Sequence, residues 1–107
     1  MNKSPLQLMR EREELRRQHG VLFDACVREF YRADPLRLAP LAPLDEYEPQ
    51  VVAVLPRLKE CSGQPDVQRV LHEEFTRCFG ADVAGSSDRY TRLSYTVWAL
   101  HERAANS

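Results

Sequence analysis

Glycine is scarce in this chain of 107 residues: there are four, far apart, and none belongs to a G-x-x-x-x-G-K or G-x-G-x-x-G string. That excludes the backbone loops that cradle nucleotide phosphates. A long apolar run is missing too, and the first residues are polar and charged rather than the apolar core of a signal peptide. The expectation is a cytoplasmic protein with no membrane partner. Charge of one sign is also lacking, since the formal net charge is -1. A general nucleic-acid binder carries a basic excess, so nucleic acid is a disfavoured partner.

Cysteine is present in an odd number and at irregular spacing, as Cys26, Cys61 and Cys78. This suits a reducing compartment better than a disulfide framework. With His19, His72 and His101 these are the residue types zinc prefers, but no C-x-x-C or H-x-x-x-H occurs, and His72-Glu73 lacks a second histidine one turn on. No metal or cofactor is therefore expected. No local signature of an activated nucleophile is found, so no catalytic residue is assigned. Cys26 and Cys78 fall on apolar helix stripes and read as small hydrophobes. Cys61, beside a glycine turn, is the one of the three best placed to be exposed and reactive, although a structural role is favoured for it as well.

What the sequence does contain is enough apolar residue, 43%, and enough charge, 29%, for one globular domain spanning residues 1–107. The expected fold class is all-α, a small bundle of four main helices at about 5–31, 45–60, 65–79 and 87–104. Ser4-Pro5 marks the first start, with a capping hydroxyl followed by a residue suited to the first helical position. Leu8, Leu15, Leu22, Cys26 and Phe30 keep one stripe in register across Gly20, which favours a single helix, although Gly20 could also be a C-cap that splits it. Asp34-Pro35 ends that helix. A proline-rich crossover at 34–44 follows, too leucine-rich for a loose linker.

Asp45 can cap the second helix, with Glu46 and Glu48 complementing its positive end. Pro56 should kink or shorten that helix. Pro65 opens the third, whose apolar face runs from Val67 to Phe79, and Gly80 closes it. Ala84-Gly85-Ser86-Ser87 reads as a turn leading into the fourth helix, where Tyr90, Leu93, Val97, Leu100 and Ala104 recur at steps of three and four. Residues 105–107 read as a frayed end.

At the other end, residues 1–14 read as a protruding charged helical arm. Between Met1 and His19, Lys3, Arg10, Arg12, Arg16 and Arg17 outnumber Glu11, Glu13 and Glu14 by two. Such mixed charge normally marks a solvated helix face, with nucleic-acid contact through Arg10–Arg17 as the competing reading.

From Ala33 to Gly80 the chain resembles a group of small uncharacterised bacterial all-helical proteins. The shared pattern is Asp34-Pro35, a leucine-containing loop, the opening Asp45-Glu46-Tyr47-Glu48-Pro49, and a helix closing at Phe75 to Phe79-Gly80. The resemblance implies an all-helical fold of unknown activity and carries no catalytic residues.

The functional expectation is a non-enzymatic interaction or regulatory factor of the immunity kind, working through a protein partner or as a homo-oligomer. Candidate surface residues are Asp45, Glu46 and Tyr47 at the second helix opening, with Tyr95 and Trp98 on the fourth helix, because exposed aromatics often anchor contacts. The competing class is an enzyme or metal-dependent domain with a site between helices built from His72, Glu73, Glu74 or Asp45.

Overall fold

The computed structural model describes residues 4–36 and 47–106. Among these the chain is all-helical, with no strand. Helix α1 covers Pro5–Ala33, α2 Glu48–Val54, α3 Gln64–Phe79, α4 Ala81–Ala84 and α5 Thr91–Ala105, with 3-10 turns at Leu55–Glu60 and Ser87–Tyr90. No helix among the described residues is long and apolar enough to cross a membrane.

The start of α1 follows its sequence closely. Ser4 Oγ accepts from the Gln7 amide at 3.2 Å and Gln7 Oε1 accepts from the Ser4 amide at 3.0 Å, a reciprocal capping box with Pro5 beside it. Both readings of Gly20 hold in part. The chain is helical on either side of it, but Gly20 itself sits at φ 34°, ψ -99° and bends the helix there. Only glycine adopts such a backbone at little cost. The helix ends at Asp34, in the left-handed region at φ 47°, where its amide donates to Phe30 O at 2.9 Å.

The segment expected to protrude is tied down at one point, since Arg12 bonds Glu48 of α2 at 2.9 Å. Asp45 and Glu46, with most of the proline-rich crossover, lie outside the described residues. The helix-two expectation of 45–60 is met from Glu48 onward in two parts. Pro56 has no amide to donate, and the α-helix gives way to a 3-10 turn from Leu55 to Glu60. The fourth helix likewise begins as a 3-10 turn before becoming α5.

Helix α4 was not legible as a helix. Its last carbonyls are satisfied by side chains from elsewhere: Tyr90 Oη donates to Ala84 O at 2.6 Å, and Arg89 donates to Val83 O and Ala84 O at 2.9 and 3.2 Å. His72 Nε2 lies 3.0 Å from Gly85 O, and since a carbonyl only accepts, Nε2 carries the proton. Orphan carbonyls at a helix end need such partners, and here they pin the turn that aims α5.

The core joins α1, α2, α3 and α5 through Phe23, Phe30, Tyr47, Phe75 and Tyr90, all buried. Phe75 is its hub. Its ring centroid lies 5.1 Å from Tyr90, 5.9 Å from Tyr47, 6.0 Å from Phe79 and 6.1 Å from Phe30. Helices α3 and α5 also share a polar seam, in which Gln64 donates to Ser94 Oγ at 2.7 Å and Gln68 donates to Thr91 Oγ1 at 3.0 Å. Ser94 is fully buried, so the bond offsets a desolvation cost that would otherwise stand.

Two thiols depart from expectation. Cys78 is exposed, because the last turn of α3 turns Phe79 toward Phe75 and leaves Cys78 outside. Cys61 is half-buried against the core at the end of the 3-10 turn, with Sγ 3.5 Å from Arg57 O. Burial, followed by the charge of Asp66, pushes its pKa up. Cys26 is buried as expected, and burial, with Glu29 adding, pushes its thiol up to about 12. Since the thiolate is the nucleophile, Cys78 is expected to react first with a maleimide, Cys61 more slowly, and Cys26 only when the core opens. Peptide mapping after timed labelling of the native protein checks that order.

Candidate interaction surface

The side chains best suited to chemistry are engaged with one another. Arg57, on the 3-10 turn, reaches across to α3 and donates to Glu73 at 2.6 Å and Glu74 at 2.9 Å, while Arg77 binds Glu74 from its own helix. The bond from Arg57 holds Glu73 below the usual carboxylate range, and the same pairing raises Arg57. Glu74 is buried between two guanidiniums, with Oε2 accepting from Arg57 and Oε1 from Arg77, so both carboxylate oxygens are already engaged. His72 is spent on the carbonyl of Gly85, and its ring meets that of Tyr90 at a tilt of 46°, centroids 5.9 Å apart. No group of three potential metal ligands occurs among the described residues.

Three of the four arginines in the basic stretch Arg10–Arg17 are similarly engaged. Arg12 pairs with Glu48, Arg17 with Glu14, and Arg16 lies 3.7 Å from Asp24 with its guanidinium 5.2 Å over the Phe23 ring. These contacts leave no continuous stripe of unpaired cations on that face.

Of the surface residues expected from sequence, Tyr47 requires correction. It is 1% exposed, in the core, and its hydroxyl donates to Asp34 Oδ1 at 2.7 Å and accepts from the Leu36 amide at 3.1 Å. Its hydroxyl ties the start of α2 to the end of α1 instead of facing a partner. Trp98 is half-buried against the core with its ring 5.5 Å from His101. Tyr95 is 61% exposed, so the aromatic pair does not act as one patch.

Sequence reasoning missed the pairing of α1 with α5, which run antiparallel and leave two depressions along one side. One, of about 570 Å³, lies beside the Gly20 bend between Leu22 and Ala25 of α1 and Leu100 and Ala104 of α5, with Val21 on its edge. The other, of about 460 Å³, lies between Glu29, Arg32 and Pro35 at the end of α1 and Arg89, Arg92, Leu93 and Thr96. From Ala25 to Glu29, and from Thr96 to Leu100, is one helical turn on the same face, so the depressions follow one another along a single groove. Val21, 84% exposed, extends the apolar lining of the first depression onto its open rim. The signal was present in Val21, which departs from the apolar stripe of its own helix.

Comparison with known proteins returned no match to a family model, to a curated protein or to a solved structure.

Proposed function

We propose that this chain is a non-enzymatic interaction factor of the regulatory or immunity kind, which binds a protein partner along the α1/α5 side of the bundle. The observation that carries the reading is the open, largely apolar groove between α1 and α5 with Val21 exposed at its edge. It stands beside candidate catalytic groups that are tied into ion pairs and caps. An uncovered apolar surface has a standing cost in water that a partner relieves. Three free cysteines fit a reducing cytoplasm, and the resemblance to small bacterial helical proteins fits such a host.

The experiment is in-cell photo-crosslinking with a benzophenone amino acid placed at Val21, at Thr96 or, as control, at exposed Lys59 on the 3-10 turn. Discrete adducts are expected from Val21 and Thr96 and not from Lys59. A chain that forms no adduct from any position, or the same adducts from all three, is not an interaction factor using this side.

A further inference from the structure

We infer that the occupant of the α1/α5 groove is an acidic amphipathic helix of a partner protein; this rests on the interaction reading above and adds the partner's chemistry. Charge is the first argument. Arginines 32, 89, 92 and 103 line the groove against one carboxylate, Glu29, although the whole chain has a net charge of -1. Glu29 is already bonded to Arg32 at 3.0 Å. Arg92 and Arg103 are exposed and have no ion-pair partner among the described residues, and they stand about three turns apart on α5. Basic side chains clustered beside a groove favour a partner of the opposite sign, and set its orientation and rate of arrival.

Shape is the second argument. The groove floor is apolar, with Leu22 and Ala25 from α1 and Leu93 and Leu100 from α5. It runs for roughly 20 Å, the length of a helix of about three to four turns. Two antiparallel helices present ridges between which a third helix packs, and such a helix needs apolar residues at i, i+3, i+4 and i+7. Acidic residues on the flank of that stripe would meet Arg92 at one end and Arg103 at the other. An extended strand finds no sheet edge here, because no strand exists among the described residues.

The test uses two fluorescent, hydrocarbon-stapled helical peptides with the same leucine stripe, one flanked by glutamate and one by lysine. Anisotropy titration is expected to show the acidic peptide binding at least about tenfold more tightly, with an affinity that weakens as salt rises. Amide chemical-shift changes are expected to cluster within residues 18–35 and 89–104. The double substitution Arg92→Glu and Arg103→Glu changes two exposed side chains, so it should fold normally by circular dichroism while reversing the peptide preference. Equal binding of the two peptides, an unreversed preference, or shift changes elsewhere would overturn the proposal. So would sedimentation showing a dimer whose interface is the groove, which would make the occupant a second copy. If Val21 crosslinks to a partner in cells yet the acidic peptide is not preferred, the partner's chemistry is wrong while the interaction reading stands.

Discussion

Substituting Phe75 by alanine is expected to cost about 3–5 kcal/mol, the usual range for emptying a fully buried aromatic site. A domain of this size has a total stability of about 5–15 kcal/mol, so the loss takes a large share of it. The reason for placing Phe75 at the top of the range is its position. It is fully buried and its ring meets Phe30 of α1, Tyr47 before α2, Tyr90 before α5 and Phe79 of its own helix. Three of these neighbours come from other elements, so they cannot close on the void without moving whole helices, and an unrelaxed cavity is the costly kind. Phe79, half-buried at the edge of the same cluster, is expected to cost less than half as much when truncated. Urea unfolding followed by circular dichroism measures both. A Phe75→Ala midpoint within the equivalent of about 1 kcal/mol of wild type would mean that the cluster is not the hub of the fold.

Much of this core was readable from spacing, and the reason is local. The stripe from Leu15 to Phe30, the run from Val67 to Phe79 and the three-and-four steps of α5 are helix periodicity, which depends on neighbours within a turn or two. Caps were readable for the same reason: Ser4-Pro5 and Gly80 act on amides and carbonyls within four residues. What was hidden depends on distant partners. Helix α4 has four residues and is held by His72, Arg89 and Tyr90, so no window of sequence contains its cause. Tyr47 recurred with the apolar positions of its helix and also carried a polar tip. Only the position of Asp34, thirteen residues earlier, shows that the tip is spent inside. Glu73 and Glu74 stayed available to the competing reading of an inter-helix site, because Arg57 reaches them from another element. The groove belongs to this class as well, since two stripes on α1 and α5 become one feature only when the helices are paired.

Gly20→Ala is expected to destabilise the fold by at least about 1–2 kcal/mol, the cost of placing an L-residue on the positive-φ side. The cause is backbone alone. A Cβ built on Gly20 meets nothing within 4 Å, so no clash contributes, but φ 34° with ψ -99° remains costly for any L-side chain. Alanine also raises the helical propensity of the joint, so the chain gains by straightening α1 through position 20. Straightening would re-aim Pro5 to His19, pull Arg12 from Glu48, part the Arg16 guanidinium from Phe23 and deform the groove end at Val21 and Leu22. The variant should therefore lose stability and groove binding together, whereas a Glu48→Gln variant, which weakens the arm's tie without touching the bend, should keep the groove. A semisynthetic chain carrying D-alanine at position 20 separates backbone from side chain. Its mirror-image preference admits positive φ, so it is expected to cost less than L-alanine. Denaturation midpoints for the three chains decide the matter: equal losses for the two enantiomers would show that the bend at Gly20 is not what shapes this end of the bundle.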